Sequence, residues 1–435
     1  MRLKTLLLLT TASTTAVFAK QPNIILIVAD DLGSGDIGCY GSTYINTPNI
    51  DRMAAEGVLL TDFHTNGSVS SPTRAALMTG RYQQRCGIDM VVSAANHRHV
   101  GLAAEEYTLA EALKDQGYTT AIYGKWHLGY QEQFNPIHQG FDYFEGYVAG
   151  NVDYHSHLDL VNIHDWWSGT TEFREEGYTT DLISDKSVKF IETHQDETFF
   201  LYVPHEAPHN PLQGRNSPVQ RYEEGVERDT SVKETKSNKD LYKEMIEVMD
   251  EGVGRILEAL ERCDLVDDTI VIFTSDNGAT AQGSNAPYRG KKSTFFEGGH
   301  RVPAIIWSPN KKISPQVPYV YDSPVMMMDL YPSFVKLAGG KIPKNLDSID
   351  ALSYIRKGKK TPSRDLFWAN SSDWSAMRSG DWKMVINKDN SYLFNLEDDI
   401  AESENLLDKY PERGAEMTLA IKNWLTSVTP KPANE

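Results

Sequence analysis

Four stretches of the chain are apolar at nearly every position and then turn abruptly polar. They are "NIILIVADD" from Asn23, "YTTAIYGKWH" from Tyr118, "TFFLYVPHEAPH" from Thr198 and "TIVIFTSDNG" from Thr269. Short runs of this kind, rich in β-branched and aromatic residues, predict buried strands. Helical periodicity lies between them, in "TLAEALKDQG" and in a longer stretch where Leu241, Met245, Val248, Met249, Val253, Ile256, Leu257 and Leu260 form one apolar stripe. Strands alternating with helices predict an α/β fold, a large, mixed and mostly parallel doubly wound sheet with helices on both faces. This part spans 20–355. Beyond the linker "GKKTPSRD", the segments "LFWANSSDWSAMRSGDWKMVI" and "SYLFNLEDD" predict short strands, and a helix near Ala415 to Leu425 closes the chain. Residues 356–435 are therefore expected to form a smaller C-terminal α+β domain with a short antiparallel sheet. The polar stretch 211–239 is expected to be a surface insertion forming a rim loop.

Residues 1–19, "MRLKTLLLLTTASTTAVFA", place Arg2 and Lys4 before a leucine-rich core and end in small residues, the pattern of a cleaved export signal. No later stretch approaches the ~20 apolar residues of a membrane span. The expectation is an exported protein, bacterial periplasmic or secreted, with no integral membrane segment. The formal charge of -17 argues against a nucleic-acid partner. An anionic ligand would need a local basic pocket. Cys39, Cys86 and Cys263 are too few and too scattered for a disulfide scaffold or a zinc site.

In doubly wound sheets ligands bind beyond the carboxyl ends of the strands, where each polar cluster falls. Asp30 and Asp31 follow the first strand, and Asp276 and Asn277 follow the fourth. Either pair alone reads equally as a turn or cap, but together they suit a hard cation, calcium or magnesium. Lys125 and His127, two residues apart, would point the same way in extended chain. His205 and His209 bracket the stiffening Pro208, and Lys291 and Lys292 follow a glycine. In "SVSSPTRAALMTG", Pro72 and Gly80 bound a helix whose N-cap would be Ser70 or Ser71. A helix start is a natural seat for an anion, and Arg74 would share its first turn.

These motifs together resemble the type I sulfatases of the alkaline-phosphatase superfamily, a likeness that covers nearly the whole mature chain. It rests on Ser70-Ser71-Pro72-Thr73-Arg74 followed by "AALMTG", and on "PNIILIVADDLGSGD", "GYTTAIYGKWHLG", "APHNP", "SDNG" and "KKSTFFEGGHRVP". Thr73 stands where that family more often has serine or alanine, and Ser70 where cysteine is commoner. The resemblance implies that a maturation enzyme oxidises Ser70 to formylglycine before export, and that its hydrate attacks sulfur. It implies metal ligation, most often of Ca2+, by Asp30, Asp31, Asp276, Asn277 and residue 70. Arg74 and Lys125 would orient the hydrate, His127 would deprotonate its second hydroxyl, and His209 and Lys292 would hold the sulfate.

Two other readings stay open at this stage. One is a phosphatase or phosphodiesterase of the same superfamily, and the other is a sulfated-glycan-binding protein with an unmodified Ser70. Export and the aromatic clusters "DYHSHLD" and "HDWWSG" favour a sulfated carbohydrate as substrate. Arg98, Asp153, His155, His157, His205 and Trp166 are the candidate contacts for it.

Overall fold

Every residue of the strand Asn23–Ala29 is buried, yet alternate side chains enter different cores. The structure is a computed structural model that describes residues 21–229, 231–309, 317–371, 373–388 and 390–429, so the segment 1–19 lies outside the described residues. Ile24, Leu26 and Val28 face one side, packing with Leu77, Leu109 and Phe334. Ile25 and Ile27 face the other, with Ile183, Met245 and Met249. A strand buried on both faces has no solvent side, which is why its sequence is apolar without alternation.

The four predicted strands are Asn23–Ala29, Thr119–Lys125, Phe199–Pro204 and Thr269–Ser275. They lie side by side and parallel near the middle of a ten-stranded sheet. The next strand outward, Tyr143–Tyr147, is parallel to Thr119–Lys125. Ala304–Trp307 runs antiparallel to both of its neighbours, which makes the sheet mixed. Register carries Val28 opposite both Pro204 and Thr274, so the polar clusters after three strands emerge at one edge. The predicted stripe lies on the helix Asn238–Arg262, capped by the Ser237 hydroxyl, and all eight of its apolar residues are buried.

Within 211–237 the described residues form no helix or strand, as the polar composition predicts. The path of this segment is nevertheless fixed. The buried Asp153 carboxylate accepts hydrogen bonds from Gln213 Nε2 at 3.1 Å, Gln220 N at 2.7 Å and Arg221 N at 2.9 Å.

The strands Leu366–Ala369, Trp374–Ser379, Trp382–Asn387 and Asn390–Asn395 form a separate antiparallel sheet in chain order. The helix Pro411–Val428 covers one face through Met417 and Ile421. The other face packs Trp368, Ala376 and Phe394 against Ala76, Phe295, Phe296 and Met326. Charge crosses this junction as well. Lys383 Nζ, fully buried, lies 2.7 Å from Glu297 Oε1 and 2.9 Å from Glu402 Oε1, and Glu297 N donates to Glu402 Oε2 at 2.6 Å. One ammonium serves two carboxylates. Burial pushes Glu402 up to about 7 against the pull of Lys383, with the neighbouring Glu297 adding to the rise.

Removing the cation by Lys383→Met leaves buried carboxylates uncompensated and should cost about 3–5 kcal/mol of stability. Glu402 keeps a proton in the fold that the unfolded chain gives up above pH 4.5, so its contribution to stability falls as pH rises toward about 7. Thermal melts should therefore show Glu402→Gln gaining on the wild type between pH 5 and pH 8. A constant difference across that window would contradict this reading.

Candidate active site

The hydrogen bonding of the parallel strands continues past their ends and carries the polar clusters inward. His205 N donates to Val28 O, Asp276 N to Ala29 O and Asp30 N to Ala207 O. Asp31 holds φ of 68°, the left-handed region that a non-glycine residue occupies only under local constraint, and its N–H lies 3.4 Å from Asp276 Oδ1. Asp30, Asp31, Asp276 and Asn277 are all buried at this edge.

Ser70 begins a helix, Ser70–Thr79, that Gly80 closes in the left-handed conformation. Neither serine is the N-cap. That position is Val69, which has no capping side chain, and the hydroxyls serve other partners. Ser70 Oγ donates to Asp30 Oδ1 at 3.2 Å and accepts from Lys125 Nζ at 3.1 Å, while Ser71 Oγ accepts from Val92 N. Arg74 is fully buried. Its guanidinium grips Asp276 Oδ2 through Nε at 3.1 Å and Nη2 at 2.8 Å, and Nη1 reaches Lys125 O and Tyr202 Oη.

Lys125 Nζ lies 2.5 Å from Asp30 Oδ2, and Lys292 Nζ lies 2.6 Å from Asp31 Oδ1. Burial alone would raise both aspartates. Lys125 beside Asp30, and Lys292 beside Asp31, with help from His209, hold them below the usual carboxylate range. Two buried oxygens have no donor at all, Asp31 Oδ2 and Asn277 Oδ1, although Asn277 Nδ2 donates to Asp31 Oδ1 at 2.6 Å. Bare acceptors in the interior are costly, and a hard cation satisfies several at once. Asp30, Asp31 and His209 place ligand atoms within 4.8 Å of one another, so the residues present fit a divalent ion. A second close group, His64, Glu297 and His300, has every ring nitrogen and carboxylate oxygen already engaged, by one another and by Asp62, Arg301 and Lys383, so it offers no bare acceptor to a metal.

A cleft opens over this edge, with Ser70, His127, His209 and Lys292 in its lining. His127 arrives there by a route the spacing did not predict. Its φ is 60°, so the chain is not extended after Lys125. Its Nε2 lies 3.1 Å from Val92 O, which makes Nε2 the protonated nitrogen and leaves Nδ1 bare and unpartnered. Burial, and then the nearby Lys125 and Arg74 cations, push its pKa well down, so the ring is a neutral base. His209 Nδ1 lies 2.7 Å from Asn210 O, which turns Nε2 toward Asp31 Oδ2 at 3.6 Å.

Several expected substrate contacts lie elsewhere. Asp153 anchors the 211–237 segment, His157 stacks on the buried Trp166 at 4.5 Å, and His205 is buried. None of these has a side chain exposed to a sugar. His155 lines a different hollow and contacts Gly214 O. Arg98 pairs with Asp159 at 2.7 Å and lies over the Tyr130 ring. Tyr130, Asn151 and Leu160 line the cleft but were not among the sequence candidates. Asn151 could have been found by reading "DYFEGYVAGN" as a fifth strand with its own polar end, whereas an isolated leucine gives no such signal.

Fixed cations, bare oxygens and a helix-borne hydroxyl make this edge a receptor for an anionic ester. Residues 22–340 match the sulfatase family, and the chain belongs to it, a type I sulfatase and hence a sulfuric ester hydrolase. It is 34% identical over 406 residues to N-acetylgalactosamine-6-sulfatase of Mus musculus, covering 87% of this chain and 74% of that one. It is also 34% identical to arylsulfatase A of Homo sapiens, covering 83% and 73%. Among solved structures, Ps i-CgsB in complex with k-i-k-neocarrahexaose superposes with a TM-score of 0.84 at 30% identity, covering 95% of this chain and 94% of that one.

Arg74→Met would strand the buried Asp276 carboxylate and should lower unfolding free energy by about 3–5 kcal/mol. Urea denaturation measures it, and a loss under about 1 kcal/mol would remove Arg74 as the group that holds Asp276.

Proposed function

We propose that the protein hydrolyses sulfate esters of carbohydrates, with residue 70 in the formylglycine form and a calcium ion at the Asp30, Asp31, Asp276 and Asn277 oxygens. The observation that carries this reading is the position of Ser70, whose hydroxyl lies between Asp30 and Lys125 on the floor of the charged cleft. As a hydrated aldehyde, residue 70 supplies a hydroxyl to attack sulfur and a second one whose deprotonation releases sulfate. Bound calcium supplies positive charge against the sulfuryl oxygens and favours the ionised hydroxyl.

The chain's own residues do the rest. Lys125 and Lys292 present fixed positive charge to the transferring group. His127 Nδ1, bare and neutral, accepts a proton at residue 70. His209 Nε2 is the atom placed to exchange a proton with the departing alcohol, because Nδ1 is engaged at Asn210. Arg74 holds Asp276 in place. The two lysines occupy the neighbourhood where a two-metal phosphatase would need a second ligand set, which favours the sulfatase reading over that one. Similarity to an N-acetylgalactosamine-6-sulfatase and to Ps i-CgsB in complex with k-i-k-neocarrahexaose supports a sulfated glycan as substrate. The segment 1–19 supports export, to the periplasm or beyond, after a maturation enzyme has acted on Ser70. Residues 20–355 would carry the reaction and 356–435 brace it through Lys383. No helix among the described residues is long and apolar enough to cross a membrane.

His127→Ala and Lys292→Ala should each lower sulfate release at least ~100-fold, and Lys292→Ala should also lower the melting temperature, because it leaves the buried Asp31 carboxylate without its cation. Retained turnover in either variant would take that residue out of the reaction. A chelator should abolish activity and lower the melting temperature, and calcium should restore both; metal-stripped protein with full activity would overturn the ligand assignment.

A further inference from the structure

The cleft has two chemically different halves. Its floor is charged, with Ser70, His127, His209 and Lys292, whereas Val91, Val92, Ala94 and Leu160 make its wall apolar. The segments that carry Val91 and Leu160 expose further apolar side chains. Leu160 is 58% exposed and Ile163 47%, and Met90, Val91 and Val161 are exposed as well. Single exposed aliphatic side chains are ordinary, but here five come from two short segments that each contribute to the wall of one cleft.

The segment that displays Leu160, Val161 and Ile163 is held firmly. The buried Asp159 carboxylate accepts from Val161 N and Ile163 N through Oδ1, both at 2.9 Å. Asp159 N donates to Ile163 O at 2.8 Å, and Asn162, at φ of 61°, donates back to Asp159 O at 3.0 Å. Asp159 Oδ2 takes Arg98 Nη1 at 2.7 Å, and the Arg98 guanidinium lies 4.6 Å over the ring of Tyr130, itself a lining residue. Arg98 thus ties the 90–98 segment, the 159–163 turn and Tyr130 into one frame. The exposed side chains sit on a preorganised platform, which binds with less ordering cost than a mobile loop. Among the described residues that line the cleft, the only charged or readily protonated groups are those of the floor.

We propose that Leu160, Val161, Ile163 and Val91 form the platform that recognises the alcohol half of the ester, resting on the sulfatase reading for what occupies the floor. Its occupant is a pyranose that turns an apolar C–H face to Leu160 and carries one sulfate and no second anionic group on the reacting ring. Arg98 is a positioning residue for this platform.

The test uses Ser70→Ala protein, which binds without turnover, and calorimetric titration with 4-sulfated and 6-sulfated N-acetylhexosamine disaccharides and their disulfated counterparts. Leu160→Ser in that background should weaken the best monosulfated disaccharide about tenfold and leave inorganic sulfate within about twofold, since a small change in apolar contact is worth this much. A second sulfate on the reacting ring should weaken binding about tenfold or more. Unchanged disaccharide binding in the Leu160→Ser, Val91→Ser double variant would overturn the proposal. So would tighter binding of the disulfated ring, an equal loss for inorganic sulfate, or no binding of any sulfated disaccharide. If unsubstituted protein releases no sulfate while the Ser70→Ala titrations keep the predicted pattern, the platform stands and the hydrolytic reading falls.

Discussion

Two adjacent carboxylates, Asp30 and Asp31, are buried side by side at the end of the central strand, and the arrangement around them is a response to that placement. Desolvation and mutual repulsion both oppose their ionisation. Lys125 and Lys292 offset this, one on each aspartate, and Asn277 donates to Asp31. Arg74 does the same for Asp276 from a helix whose first residue brings the Ser70 hydroxyl to Asp30. The compensation is incomplete, because Asp31 Oδ2 and Asn277 Oδ1 still lack donors. Those unsatisfied acceptors suit the edge to a cation, and the fixed cations around them suit it to an anionic ester.

The second sheet belongs to the same electrostatic design. Lys383 crosses from it to Glu297, at the start of the short helix Glu297–His300, and Glu402 accepts the Glu297 N–H. Lys292 lies shortly before Glu297 in the chain, on a loop whose Ser293 N donates to Ser68 O just before the helix Ser70–Thr79. The loop bearing the Asp31 partner is therefore anchored at one end to the small sheet and at the other to the Ser70 segment. The junction thus combines apolar packing with fully buried charge.

Much of this was legible in the sequence because it depends on local pattern. Continuous apolar runs identified the four central strands, and their polar ends pointed to the edge where Asp30, Asp31, Lys125, His209, Asp276 and Asn277 gather. What failed depends on burial and on contacts distant in sequence. Asp153, His157 and His205 look like site residues because they are polar and near motifs, yet they lie inside the protein, where Asp153 holds the 211–237 segment. Arg98 reads as a free anion clamp until Asp159, far along the chain, claims it. Ser70 and Ser71 read as N-caps because serine favours that position, but the cleft's other donors and acceptors claim both hydroxyls. Leu160 was invisible for the opposite reason, since a leucine reads as core until its exposure is known.

In the proposed reaction, turnover depends most directly on the chemical state of residue 70. Mass spectrometry of the proteolytic peptide that contains it, from active protein made in its native host, should find that peptide lighter by two hydrogens than its serine form. A preparation that releases sulfate while carrying only unmodified serine at this position would contradict the account.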